Sequence, residues 1–182
     1  YEMFFDYAVL ASRLLELTLT GKDCGMTERA PMCGIPHHAS EIYIKRLIEL
    51  GYKVAVCEQL TDPTEGKGLV VRDVIKVVTP GTLTESSMLN DSTNNYIGAV
   101  FVKDNSCSIC FTDISTGAVS LFTKSGKEMQ SDLINEIARF NPAEILFNDS
   151  FLSLKEVSNF IREKLKCSVQ LIDDECFLVE NK

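Results

Sequence analysis

The chain has 182 residues with 45% hydrophobic content, enough for one large or two small domains, and no run of about 18 apolar residues that could span a membrane. Net charge is −8 and both halves share it: nine Lys and Arg against twelve Asp and Glu in residues 1–90, and nine against fourteen in residues 91–182. Phosphate binding wants basic surface, so this balance speaks against nucleic acid unless the cations gather on one face.

Seven cysteines, Cys24, Cys33, Cys57, Cys107, Cys110, Cys167 and Cys176, are an odd and scattered set, which fits reduced cytosolic thiols better than a secreted disulfide framework. The chain opens on Tyr1 rather than on a basic and then apolar leader. It reads as a cytoplasmic fragment of a longer protein.

In chain order, residues 2–16 are predicted to be a helix, with Phe4, Tyr7, Ala8, Ala11, Leu14 and Leu15 on one stripe and Glu2, Asp6 and Arg13 off it. Leu17 to Thr20 alternates as a short strand, residues 21–30 form a loop, and Pro31 to Ile35 is extended. A second helix covers 40–50, with Ser40 as N-cap, Glu41 in the first turn and Gly51 as the stop. Tyr52 to Gln59 reads as a strand of the buried type. A turn-rich loop at 61–68 leads into a long β segment, Leu69 to Val78. Strict alternation there puts Val70, Arg72, Val74 and Lys76 on one face and Val71, Asp73, Ile75 and Val77 on the other.

Residues 83–93 are polar and read as a linker between domains at 1–82 and 94–182. Beyond it lie three closely spaced strands, Tyr96–Val102, Cys107–Ile114 and Ala118–Thr123, with turns at Asp104-Asn105 and Ser115-Thr116-Gly117. A helix at 131–140, a strand at 144–147, a helix at 152–165 and a strand at 169–172 complete a βββαβαβ order. The fold class expected is α+β: a small mixed-sheet domain, then a mixed sheet with helices on it.

The stretch Met32-Cys33-Gly34-Ile35-Pro36-His37-His38-Ala39 holds a thiol and two imidazoles. Zinc wants three or four converging ligands, and neighbouring side chains at 37 and 38 diverge. A catalytic thiol wants a base and an orienting group, yet both histidines of the chain sit on this one turn. The stronger reading is a tight turn before a helix, since Gly34 permits a close backbone and Pro36 fixes φ. Such a turn suits a phosphate at least as well as a metal. Cys107 and Cys110 fall three apart in a strand and point to opposite faces. Asp113 could join a metal-dependent nuclease site, but no second and third acid are evident on neighbouring strands. No phosphate-cradling loop is present. Lys22, Lys67, Arg72 and Lys76 are either a solvated surface or cations set to follow a phosphate backbone.

Several stretches in register resemble the MutS family of bacterial DNA mismatch-repair proteins: YEMFFDYA at 1–8, MCGIPHHA at 32–39, AVCEQLTDP at 55–63 and VVTPGT at 77–82. DISTG at 113–117 and NPAEILF at 141–147 fit the family's next domain. The resemblance implies a mismatch-recognition domain at 1–82, lacking its extreme N-terminus, and a C-terminally truncated connector domain at 94–182 with an RNase H-like sheet and no nuclease activity. It implies that Glu2 is the acid of the family's Phe-x-Glu reading head, with Tyr1 in the middle position. A first-turn acid favoured by the helix dipole is compatible with that role. Met32, His37 and His38 become candidate minor-groove or backbone contacts, and Lys22, Lys67, Arg72 and Lys76 candidate phosphate contacts. The partner implied is mismatched duplex DNA held by a homodimer, with a MutL-type repair protein engaging the connector. ATP and Mg would act in a distant domain, with no cofactor, metal or catalysis in this segment. The rivals are a MutS-related paralogue that reads other DNA structures and a metal-dependent nuclease on the RNase H-like half.

Overall fold

The computed structural model describes residues 1–61, 70–89 and 92–178. The chain divides into two compact units, Tyr1–Val78 and Thr79–Lys182. Both mix helices with sheets, as the α+β expectation requires.

In the first unit β1 (Glu2–Phe4), β2 (Thr20–Lys22) and β3 (Ala30–Gly34) form an antiparallel sheet in the order β1-β3-β2. The expected helix start at residue 2 is therefore replaced by a strand, and α1 (Phe5–Leu15) begins three residues later. The apolar spacing of residues 3–8 suits either element, and pairing with β3 decides it. Alternation along the sheet turns Met3 and Cys33 onto α1, where Ala8, Ala11 and Leu15 lie buried. The two alanines let the helix approach the sheet closely. Tyr7, placed on the apolar stripe by spacing alone, is 77% exposed. Glu16 ends α1 in the left-handed region at φ 57°, with its N–H on the Ser12 carbonyl.

A single 3-10 turn, His37–Ala39, precedes α2 (Ser40–Glu49), so Ser40 is the first helical residue rather than a side-chain cap. The hairpin of β4 (Val54–Gln59) and β5 (Arg72–Val78) follows. β4 is not fully buried: its residues alternate between half-buried and exposed. Lys76 lies opposite Val56 and Val74 opposite Cys57, which leaves Ile75 as an extra, bulged residue on β5.

In the second unit the expected βββαβαβ order is observed: β6 (Tyr96–Lys103), β7 (Ser106–Asp113), β8 (Ala118–Ser125), α3 (Met129–Phe140), β9 (Glu144–Phe147), α4 (Lys155–Lys164) and β10 (Ser168–Leu171). The sheet order is β10-β9-β6-β7-β8, parallel through β10, β9 and β6 and antiparallel through β6, β7 and β8. One face carries Val100, Val102, Cys107, Ile109, Phe111, Ile145 and Phe147 into a core closed by Leu133 and Ile137 of α3 and Val157 and Ile161 of α4. Asn148 continues the β6–β9 ladder with its side chain, accepting from the Val102 N–H and donating to the Val102 carbonyl, each at 2.9 Å.

The turn Thr79-Pro80-Gly81-Thr82 is keyed into this unit by Glu144, a buried carboxylate at the start of β9. The Thr79 hydroxyl and, at 3.2 Å, the Gly81 N–H both donate to it. A buried charge persists because such donors satisfy it. At Gly81 a Cβ would stand 2.8 Å from the Ile97 Cβ and 2.9 Å from the Glu144 Cβ. Gly81→Ala is therefore expected to destabilise this unit by about 1–3 kcal/mol through overpacking. Chemical denaturation checks it, and an unchanged midpoint would mean that the turn can move aside.

Candidate nucleic-acid interface

The sheet face turned away from α1 gathers three of the expected site residues. Glu2 stands opposite Gly34, Phe4 opposite Met32, Thr20 opposite Met32 on the other side, and Lys22 opposite Ala30. These positions share one face, with Glu2, Thr20 and Lys22 exposed and Phe4 and Met32 half-buried. Lys22 Nζ donates to Glu2 Oε2 at 2.6 Å and lies 5.5 Å from the centre of the Phe4 ring. The Thr20 hydroxyl donates to the Met32 carbonyl at 3.0 Å.

Glu2 is held in place by the register of β1 on β3. That register is closed at its end by a reciprocal pair, the Tyr1 nitrogen to the Ile35 carbonyl at 2.8 Å and the Ile35 N–H to the Tyr1 carbonyl at 2.9 Å. The Tyr1 ring stacks on His37 at 5.3 Å, and its hydroxyl donates to Glu58 on β4. That hydrogen bond, with partial burial and the nearby carboxylate charge, holds the Tyr1 phenol above its ordinary pKa. Neither Phe4 nor the Tyr1–His37–Glu58 contact stood out in the sequence. The stacking partner lies 36 positions away and the carboxylate 57, and spacing carries no signal at such range.

His37 and His38 are both exposed on the 3-10 turn that continues β3. Cys33, between Met32 and Gly34, is 1% exposed and donates to the Ala8 carbonyl at 3.5 Å. Burial pushes its thiol up, so it is a core side chain and not a nucleophile. Among the described residues no three His, Cys, Asp or Glu side chains gather closely enough to hold a metal ion. Among them too, no helix is long and apolar enough to cross a membrane.

The structure does not bring Arg72 and Lys76 together. The bulge at Ile75 breaks the alternation that placed Arg72 and Lys76 on one face. Arg72 pairs with Gln59 and Lys76 with Val56, three positions apart on β4, so the two point to opposite sides of the hairpin. Arg72 is exposed and Lys76 half-buried. Lys67 lies outside the described residues.

Asp113, the acid on which a nuclease reading turned, is 1% exposed at the end of β7. Burial opposes its ionisation. The Ser115 hydroxyl (2.6 Å) and the backbone N–H groups of Asn95, Ser115 and Thr116 outweigh that and hold its carboxyl below the usual range. Those four donors make it the brace of the β7–β8 turn.

The family is settled by comparison. A model described as MutS domain I matches residues 1–87 and one described as MutS domain II matches residues 95–181. Proteins named DNA mismatch repair protein MutS are similar to this chain. The one from Clostridium tetani is 50% identical over 87% of this chain and 18% of its own length. That from Acetivibrio thermocellus is 46% identical over 97% and 20%, and that from Clostridium botulinum 52% over 82% and 16%. The chain therefore belongs to the MutS family, and it spans 16–20% of the length of these curated relatives. The HTLV-2 integrase catalytic core domain overlaps 46% of this chain and 64% of its own at 21% identity, but a TM-score of 0.32 is too low to bear on fold or function.

The burial pattern makes a direct chemical prediction. Cys33, Cys107 and Cys167 have thiols pushed up by burial, Cys167 to about 12 with Glu144 contributing, whereas Cys24, Cys57 and Cys176 are exposed. A thiol reagent near pH 8 is expected to label the exposed three rapidly, the half-buried Cys167 more slowly, and the buried Cys33 and Cys107 after unfolding. Mass-spectrometric mapping of the labelled positions reads the outcome, and early labelling of Cys33 would contradict the packing of β3 on α1.

Proposed function

We propose that this chain is the mismatch-reading and connector portion of a DNA mismatch sensor. The observation that carries the reading is Glu2 itself. It is an exposed carboxylate on a sheet face that also presents Phe4, Met32 and Lys22, and the resemblance would make it the acid of the family's Phe-x-Glu. An ionised carboxylate is an acceptor alone, so Glu2 suits the N–H edge of a base that has left its pair. It also repels the phosphates of a matched duplex. The aromatic partner of that motif would act as a wedge between base steps. Unstacking costs a few kcal/mol and is least where pairing is already broken, so deformability at a mismatch is read as binding energy.

Met32, His37 and His38 would lie against the minor groove or backbone. Lys22, Lys67 and Arg72 would meet phosphates, with Lys76 directed to the other side of the hairpin from Arg72. The βββαβαβ unit would serve as a connector without catalysis of its own. In the full-length protein we infer a cytoplasmic homodimer on kinked mismatched DNA, with ATP and Mg bound in a separate domain and a MutL-type partner engaging the connector.

In the full-length family protein carrying these two domains, Glu2→Ala is expected to raise affinity for matched duplex. The preference for a mismatch should fall about 10-fold, the order of one hydrogen bond to a base edge. Competition binding with matched and single-mismatch duplexes measures it, and an unchanged preference would remove Glu2 from the reading head. The 182-residue chain by itself, with net charge −8, is expected to bind duplex DNA no more tightly than the roughly micromolar range of non-specific contacts. Nanomolar, mismatch-selective binding by the chain alone at physiological salt would show that neither a partner clamp nor further domains are needed.

A further inference from the structure

We propose that Lys22 sets the specificity of the reading face by masking the Glu2 carboxylate in the free protein and passing its ammonium to a backbone phosphate when DNA arrives. The inference rests on the DNA-reading role proposed above for this face.

Glu2 and Lys22 come from the two outer strands of a three-stranded sheet and meet over the central one, 20 positions apart in sequence. The contact is short, at 2.6 Å, yet both side chains are 46% exposed. An ion pair so open to water is weak and exchanges readily. The Phe4 ring, 5.5 Å from the ammonium, keeps the cation above β1 after it leaves the carboxylate.

Two consequences follow for discrimination. A masked Glu2 repels phosphate less, so Lys22 admits matched duplex to the reading face during search. A Lys22 drawn to phosphate uncovers Glu2 at the moment a base edge is within reach. Lys22 is then more than an additive phosphate contact: its effect on specificity passes through Glu2. A plain phosphate contact would lower the affinity of every sequence by the same factor.

The test is a double-mutant cycle in the full-length family protein with Lys22→Met, Glu2→Gln and the pair, each measured on matched and single-mismatch duplexes. Lys22→Met is expected to weaken matched binding more than mismatched binding, raising the preference about threefold or more. In the Glu2→Gln background the same change should weaken both duplexes equally and leave the preference unmoved. Lys22→Arg, which keeps the charge, should hold the wild-type preference. The proposal is overturned if Lys22→Met leaves the preference unchanged while Glu2→Gln alters it, or if it shifts the preference by the same factor with and without the carboxylate. Absence of any mismatch preference in the unmutated protein, with Glu2→Gln inert, would instead overturn the reading of the whole face and this proposal with it.

Discussion

The pairing of β1 with β3 is the constraint on which the candidate interface depends. Side chains alternate across a strand, so the register decides whether an acid faces water or a core. With Glu2 opposite Gly34, Met3 and Cys33 go inward to Ala8 and Ala11, and Glu2 and Phe4 go outward. A slip of one residue would drive Glu2 onto α1, where an unpaired carboxylate is strongly disfavoured. Gly34 is part of the same arrangement, because a Cβ there would stand 3.3 Å from the Tyr1 carbonyl oxygen and crowd the strand that carries Glu2. One stretch of sequence, Met32 to Ile35, thus supplies the outward methionine, the inward thiol, the bare glycine and the closing hydrogen bonds.

The second unit uses its polar interior for architecture. Asp113 braces a turn, Asn148 extends a ladder with its amide, and Glu144 gathers a threonine hydroxyl and a glycine N–H. Each of these three buried side chains finds partners close at hand, as burial demands. A sheet of this topology carries acids near its strand ends without assembling them, among the described residues, into a metal-binding set. The chemistry of the unit therefore follows from where its carboxylates are committed, and topology alone does not reveal that.

Much of this was legible in the sequence, for physical reasons. The βββαβαβ order could be read because its strands alternate cleanly and its turns carry Asp104-Asn105 and Thr116-Gly117, while α3 has a strong helical period. The separation of Cys107 from Cys110 followed from strand geometry alone. β1 could not be read, since Phe4, Tyr7, Ala8 and Ala11 satisfy a helical stripe that runs through the strand residues into the helix. Pairing with a segment 30 residues away decides between strand and helix. Glu2 is found through a motif and Lys22 as a candidate phosphate contact, but their pairing is not legible, because it depends on three strands lying side by side.

The bulge at Ile75 was invisible for a different reason: nothing in Arg72 to Val78 marks one residue as surplus to the ladder. It matters for how such strands diverge. In a regular hairpin, losing or gaining one residue is a disruption. Here the strand already carries a residue with no opposite number, so a deletion at that point would mend the ladder and leave Arg72 opposite Gln59, on the side it already faces. Two relatives could then share nearly every residue of this hairpin, differ by a single gap, and still present the same charges on the same sides of the ribbon.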